Sequence, residues 1–287
     1  MSSNIVLGAF AWVAKMLPMS LKMSIYRTGL FSHLLRSGIN LLVTDGKSIV
    51  KVVSGELAGT KLSLYLKSEK DYWLGTYETE LQSVIIDRVS PGMVIYDLGA
   101  NIGYLSLLFS KLVSETGRVF AFEALPENIA RIKENLSLNL KTSNIDIVHR
   151  AIIDKNIKID FLVGPSGGTG KVLGSAGRQN INYQKKISIE GTSIDNFVFK
   201  EKKPVPDLIK IDIEGGEMLA LSGMERVLNH IKPIILLEIH GPEAASDCWK
   251  ILQDAGYEIC LIKRGCHRVL SPGELAWKSY VIAQKTN

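Results

Sequence analysis

Cysteine is scarce in this sequence. Its 287 residues include three cysteines, Cys248, Cys260 and Cys266. An odd number cannot be fully paired, and none of the three has the close paired spacing that a zinc site requires. We therefore expect a reducing compartment, the cytoplasm, in which these thiols are structural or inert.

Long apolar runs are also lacking. The most apolar segments, residues 5–14 and 19–35, lie on either side of Pro18. Neither reaches the roughly 20 apolar residues needed to cross a bilayer, and no positive charge precedes the first, which argues against a secretory signal. We expect residues 1–40 to be an apolar, basic helical segment. Three roles stay open: packing on the domain or on a second copy of the chain, contact with the inner face of the membrane, or a processed leader.

The sequence has no strong excess of charge of either sign. It contains 34 basic and 29 acidic residues, for a net charge of +5. Because the numbers of basic and acidic residues are so similar, the composition does not require a nucleic-acid partner, and none is expected. With 46% hydrophobic residues the chain has the composition of an ordinary globular protein.

Two phosphate-binding motifs are missing. No G-x-G-x-x-G dinucleotide fingerprint is present, which disfavours a nicotinamide-dependent oxidoreductase. The glycine-rich stretch at 164–172 fails as a P-loop because Pro165 occupies the position of the first glycine and Val172 replaces the hydroxyl residue. We interpret it as a loop or lid inside an insertion at about 157–199, joining strands at 157–163 and 186–190.

What the sequence does contain is a regular alternation of strand and helix patterns. Residues 41–90 predict a small β adaptor followed by a helix, and residues 91–287 predict the main domain. Its apolar runs predict central strands at 94–96, 118–123, 145–149, 208–212, 234–239, 257–262 and 280–283. Strands that alternate with helices indicate an α/β fold with a doubly wound, mostly parallel sheet, here of seven strands with an N-terminal helical and β extension.

The most informative segment is residues 94–103, VIYDLGANIG. A short buried strand ends at Asp97, and Gly99 and Gly103 enclose a tight turn into an apolar helix. Glycine lets the backbone approach a ligand closely, and the start of the helix offers free amides to an anionic group. The G-x-x-x-G spacing suits the carboxylate of a methionine better than a pyrophosphate.

Polar residues follow the other predicted strands where each one ends. In open parallel sheets, ligands collect at this edge. Glu123 lies 20 residues after Gly103 and is suited to accept hydrogen bonds from a ribose diol. The remaining residues at strand ends are Arg150, Asp212, Glu238 and His240.

Together these segments resemble the FkbM-type S-adenosylmethionine-dependent methyltransferases over about residues 72–283. Six motifs carry the resemblance in order: WLGTYE at 73–78, DLGANIGY at 97–104, FEALP at 122–126, TSID at 192–195, KIDIEGGE at 210–217 and EIH at 238–240. One departure is that Ala124 and Leu125 separate the ribose acid from Pro126, where the family usually has proline directly. The resemblance implies a Rossmann-like methyltransferase sheet and S-adenosyl-L-methionine as cofactor.

The resemblance also implies roles for single residues. Asp97, Gly99, Asn101 and Gly103 would hold the methionine end of the cofactor, and Glu123 the ribose hydroxyls. The turn at Arg150 and Ala151 would hold the adenine edge. Glu78 resembles the family's upstream acid that reaches the amino group of the cofactor.

For catalysis we expect the cluster Asp212, Glu214, Glu238 and His240 to position the acceptor and accept its proton. His240 has the ordinary pKa suited to a base near neutrality. Lys210 lies one strand period before Asp212, so we expect it to be a buried partner of one acid. No metal ion is predicted; a divalent cation between Asp212 and Glu238 is an alternative that the sequence does not favour.

The expected reaction is O-methylation of a hydroxyl on a glycan, glycolipid or secondary metabolite by in-line transfer with general-base assistance. The alternative is a non-catalytic, methyltransferase-like partner module of a membrane-associated biosynthetic complex. The sequence does not identify the acceptor, the oligomeric state or the role of residues 1–40.

Overall fold

The structure is a computed structural model that describes residues 46–164, 170–173, 175, 182–183, 185–263 and 267–285. The predicted helical segment at 1–40 and most of the glycine-rich loop lie outside these residues. The chain divides into two compact units, residues 1–79 with 134–140 and residues 80–133 with 141–287. The helix that the sequence places in the adaptor therefore falls almost entirely in the second unit.

The described part of the first unit is a small β-hairpin with one short helix. Its elements are β1 (Ser48–Lys51), β2 (Lys61–Leu64) and α1 (Lys70–Leu74). The two strands pair antiparallel, as the alternating sequence predicts. The side chain of Asn135 accepts a hydrogen bond from the amide of Ser63 at 2.8 Å, which ties the hairpin to the 134–140 segment of the same unit.

The second unit contains the central sheet and its helices. Its helices are α2 (Thr79–Arg88, whose first residue belongs to the first unit), α3 (Tyr104–Val113), α4 (Pro126–Ser137, which ends in the first unit), α5 (Glu217–Ser222) and α6 (Pro242–Asp254). Short π-helical segments lie at Asn196–Lys200 and Val227–Ile231, and a 3-10 turn at Pro272–Glu274. None of the helices within the described residues is long and apolar enough to span a membrane.

Within the described residues the central sheet has eight strands. They are β3 (Val94–Leu98), β4 (Arg118–Glu123), β5 (Ile145–His149), β10 (Leu208–Ile211), β11 (Ile234–His240), β12 (Tyr257–Leu261), β13 (His267–Arg268) and β14 (Lys278–Lys285). Across the sheet they lie in the order β13-β12-β14-β11-β10-β3-β4-β5. Neighbours from β5 to β11 are parallel, whereas β14 pairs antiparallel with both β11 and β12. The predicted α/β class is confirmed, and two-residue β13 extends the seven expected strands at one edge.

The described residues of the insertion, with residues 151–152 just before it, form a second sheet of four strands. These strands are β6 (Ala151–Ile152), β7 (Lys158–Val163), β8 (Lys171–Val172) and β9 (Lys185–Thr192). They lie in the order β6-β9-β7-β8. The predicted pair of strands is present, since β7 and β9 pair antiparallel.

The register of the central sheet places the polar residues on one face. Lys210 is opposite Asp97 on β3 and opposite Leu236 on β11. Because side chains alternate along a strand, Glu238 and His240 share the face of Leu236, and therefore that of Lys210. The other face carries apolar side chains of the buried core: Leu98, Ile209, Ile211, Ile235, Leu237, Ile239 and Val281. Alternation thus separates the site from the core.

The turn after β3 makes a prediction about stability. Gly99 has a φ of +82°, and a Cβ there would lie 1.8 Å from the carbonyl oxygen of Asp212. We expect Gly99→Ala to lower the free energy of unfolding by about 2 kcal/mol or more, because strain and overlap with backbone add together. Gly273→Ala is the matched control, since a Cβ there meets nothing closer than 3.8 Å. Denaturant unfolding measures the free energy of unfolding of both variants. An equal loss of stability in the two would contradict the requirement for glycine at position 99.

Candidate active site

The turn after β3 is held by buried charge and by backbone hydrogen bonds. Asp97 is fully buried; its Oδ2 accepts a hydrogen bond from the hydroxyl of Ser106 at 2.6 Å, and its Oδ1 lies 3.2 Å from the ammonium of Lys210. The amides of Gly99 and Ala100 both donate to the carbonyl of Phe122. The turn is therefore fixed before any ligand binds.

The same turn opens toward the start of α3. Gly99, Asn101 and Gly103 all have positive φ, at 82°, 52° and 81°. Asparagine tolerates this conformation better than most residues with a Cβ. Gly103 is the N-cap of α3 and provides no capping side chain, and the first turn of a helix is where backbone amides bind anionic groups.

Glu123 lies at the end of β4, beside this turn. Its two carboxylate oxygens accept hydrogen bonds from the backbone amides of Asn101 and Leu125, each at 2.8 Å. Burial raises the pKa of Glu123 to about 7, although the hydrogen bonds from Leu125, Asn101 and Asn128 oppose that rise. The carboxyl group is thus positioned on the turn and changes its charge close to neutral pH.

The other three predicted cofactor residues, Arg150, Ala151 and Glu78, differ from this pattern. The guanidinium of Arg150 donates to Glu201 at 2.6 Å and lines a cleft of about 740 Å³ with Val94 and Arg118, the first residues of β3 and β4. The Arg150 side chain is therefore held by Glu201, which leaves its backbone and that of buried Ala151 for the predicted role. Glu78 belongs to the first unit, with a φ of 44°, and its role stays a prediction.

Acidic and basic side chains meet at the carboxyl ends of β10 and β11. One ligand atom each from Asp212, Glu238 and His240 lies within 4.8 Å of the others. Lys210 is 3.8 Å from Asp212, and Lys278 of β14 makes an ion pair with Glu238. The structure therefore brings together three of the four predicted catalytic residues.

The fourth, Glu214, lies beside them on a strained turn. Its Oε2 is 3.9 Å from Nε2 of His240, and it has a φ of 50°, followed by Gly215 at 97°. On the other side of the ring, Nδ1 of His240 is 2.7 Å from Glu217, which also accepts the amide of Gly215 at 2.9 Å. Glu217 therefore fixes both the histidine and the turn.

The three clustered residues shift each other's pKa. Burial alone would raise the pKa of Asp212, but the ammonium of Lys210 and the hydrogen bond with Glu238 lower it overall. Burial, and then the charge of Asp212, raise the pKa of Glu238 to about 8. Burial opposes a charge on His240, but the hydrogen bond and charge of Glu217 raise its pKa to about 9. The pKa of His240 is thus above the ordinary histidine value on which the sequence prediction relied.

Some residues of the site were not recognised from the sequence. Lys210 is the buried partner of an acid, as predicted, and contacts two of them. Ser106 and Lys278 were missed, although Ser106 is a hydroxyl on a strongly apolar helix. For Lys278 no local signal exists, because its contact with Glu238 depends on β14 pairing with β11.

Comparison with known proteins gives a family match. The family model "Methyltransferase FkbM domain" matches residues 97–259. The hexuronic acid methyltransferase AglP of Haloferax volcanii is 24% identical over 178 residues, which cover 62% of this chain and 69% of that protein. The 2-O-methyltransferase NoeI of Sinorhizobium fredii is 29% identical over 151 residues, which cover 48% of this chain and 60% of that protein.

Two solved structures are also similar. The methyltransferase FkbM of Methylobacillus flagellatus has 20% identity, with 68% of this chain and 44% of that chain covered and a TM-score of 0.45. The S-adenosylmethionine-dependent O-methyltransferase of Thermotoga maritima has 13% identity, with 88% and 82% covered and a TM-score of 0.45.

The position of Glu123 predicts a pH dependence of ligand binding. The raised pKa means that the carboxyl is largely protonated below pH 7 and becomes a stronger acceptor for ribose hydroxyls as it ionises above pH 7. We expect the affinity for S-adenosylhomocysteine to rise between pH 6 and pH 8. Glu123→Gln should flatten this rise and weaken binding roughly tenfold at pH 8.

Calorimetric titration at several pH values measures the effect. Exposed Glu127 at the start of α4 provides the matched control, Glu127→Gln, which should keep the wild-type profile. A wild-type profile in Glu123→Gln would show that this carboxyl does not contact the ligand.

Proposed function

Because the chain belongs to the FkbM family of methyltransferases, we propose that it transfers a methyl group from S-adenosylmethionine to a hydroxyl oxygen of a sugar. S-adenosylmethionine is the expected cofactor of the family match. The observation that carries the proposal is a carboxylate cluster at the ends of β10 and β11, on the sheet face of Asp97 and directly beside the turn after β3.

The turn and Glu123 fit the donor. The start of α3, which has no capping side chain, suits its methionine carboxylate, and the carboxylate of Glu123 suits its ribose hydroxyls. Because Gly99 has no side chain, the backbone of the turn can lie against the carbonyl group of Asp212. The turn that would bind the donor is therefore next to the acidic cluster that would bind the acceptor. The bound donor would supply an electrophilic methyl group on a sulfonium. The protein must position the acceptor and accept its proton.

The acidic cluster serves the acceptor. Methyl transfer forms a bond between the hydroxyl oxygen and the methyl carbon while the carbon–sulfur bond breaks, and the hydroxyl proton must leave. Asp212 and Glu214 are the cluster carboxylates whose side chains reach solvent, at 17% and 27% exposure, whereas Glu238 and His240 are at 2%. We assign Asp212 and Glu214 to receive the hydroxyl and its proton, with Glu238 and His240 holding them in place.

An exposed aromatic ring beside the cluster supports a sugar as acceptor. The indole of Trp277 is 55% exposed and lies against Gly241, the residue after His240, where a Cβ would come 3.2 Å from the ring. Aromatic faces offer apolar area that can cover the C–H face of a sugar while its hydroxyls reach polar groups. The relative named for methylating hexuronic acid supports the same class of acceptor, and the one named a 2-O-methyltransferase supports transfer to an oxygen.

Methyl transfer is tested with labelled S-adenosylmethionine and a panel of uronic acids, neutral oligosaccharides and glycolipids. We expect label in a sugar ether, and at least a hundredfold lower kcat in Asp212→Asn, because one group that positions and deprotonates the acceptor is lost. Affinity for S-adenosylhomocysteine should change less than threefold, or roughly 0.7 kcal/mol. Asp87→Asn, at an exposed acid, is the matched control and should retain full activity. Binding without transfer to any of these acceptors would favour the non-catalytic alternative.

Trp277 predicts a separate effect on the acceptor. Trp277→Ala should raise KM for the sugar roughly tenfold, the scale expected for one lost aromatic contact, with little change in kcat. Trp277→Phe should recover part of the loss, and Val205→Ala, which truncates an exposed side chain just before β10, should have no effect. An unchanged KM in Trp277→Ala would remove the ring from the acceptor site.

A further inference from the structure

We infer that Asp212, Glu238 and His240 form a binding site for a divalent cation such as Mn²⁺ or Mg²⁺. Each contributes one ligand atom, and the three atoms lie within 4.8 Å of one another. Ligands of an octahedral cation with bonds of roughly 2.1 Å stand about 3 Å apart when adjacent and about 4.2 Å apart when opposite. Small side-chain rotations therefore bring all three atoms onto one ion.

The imidazole of His240 provides an independent observation. The residue is 2% exposed, and Nδ1 is fixed by Glu217 at 2.7 Å. Within the described part of the chain no hydrogen-bond partner reaches Nε2, which faces Glu238 at 3.6 Å and Glu214 at 3.9 Å. A buried ring nitrogen aimed between carboxylates, with its second nitrogen held by another carboxylate, is the arrangement of metal-binding histidines.

The charges of the site also favour a cation. Described contacts connect five acidic side chains (Asp97, Asp212, Glu214, Glu217 and Glu238) with three basic ones, Lys210, Lys278 and His240. The acids outnumber the bases, and gathered carboxylates are costly in a buried region unless cations balance them. Lys278 has a half-exposed side chain on the edge of the cluster, so its flexible stem can release Glu238 when a cation takes its place.

A bound cation refines the proposed function, on which this further step rests. Coordination of the acceptor hydroxyl would lower the pKa of that hydroxyl, as a metal does for bound water. Asp212 then serves as a ligand, and Glu214, which is outside the set of three, is the carboxylate that takes the proton. Glu217 becomes the positioning residue that orients the histidine.

The binding test uses Mn²⁺ as the probe and the whole chain without donor or acceptor. We expect electron paramagnetic resonance to show one bound Mn²⁺ per chain at sub-millimolar concentrations. Asp212→Asn should weaken binding more than tenfold, and Glu217→Gln roughly tenfold, the scale found when an outer-shell partner of a metal ligand is removed. Asp87→Asn and Glu214→Gln should bind Mn²⁺ as the wild type does. Circular dichroism of each variant separates lost binding from lost folding.

The outcomes distinguish this site from the proposed reaction. No bound Mn²⁺ at millimolar concentration, or equal binding in Asp212→Asn, Glu217→Gln and the wild type, would overturn the cation site and leave methyl transfer untouched. Saturable binding that the two variants weaken, in a protein that transfers no methyl group, would support the site and count against the reaction. Transfer that stops with a chelator, returns with Mn²⁺ and is lost in metal-binding Glu214→Gln would support both.

Discussion

The buried ammonium of Lys210 is the interaction on which the rest of the site depends. It lies 3.2 Å from Asp97 and 3.8 Å from Asp212, and it donates to the carbonyl of Gly99 at 2.9 Å. Its side chain is only 4% exposed and that of Asp97 is fully buried. Neither charge could be held there alone, because removing one partner of a buried pair leaves an uncompensated ion. The pair joins the ends of β3 and β10.

This junction connects two halves that are built by different means. The half beside β3 and β4 is fixed by the backbone: the amides of Gly99 and Ala100 share the carbonyl of Phe122, and the amides of Asn101 and Leu125 share Glu123. The half beside β10 and β11 consists of side chains whose charges compensate one another. A binding site formed by backbone groups is preorganised for one ligand. The geometry and charge of a site formed by side chains depend on the residues around it.

Much of the first half could be predicted from the sequence, because its determinants are local. An apolar run, an acid and two glycines stand next to one another between residues 94 and 103, and the structure places them in one turn. The second half was predicted only as residues at strand ends. Its contacts depend on pairing between distant strands, such as Lys278 with His240 in the register of β14 and β11, and on Glu217 at the start of another helix. Short-range patterns carry no information about those pairings.

Contacts between distant elements also explain why the ordinary pKa of a histidine is a poor guide to the pKa of His240. A histidine at a strand end would be a suitable base if it were half-exposed and had no charged neighbours. Here the β-strand alternation that hides the ring from solvent also aligns it with Glu238, and the turn at Glu214 and Gly215 brings Glu217 against its other side. Burial opposes a charge on the ring, whereas Glu217, Glu238 and Asp212, which belong to separate elements, raise its pKa. A proton or a metal ion can bind among these carboxylates. The cation that binds determines which carboxylate can accept the proton of the acceptor hydroxyl.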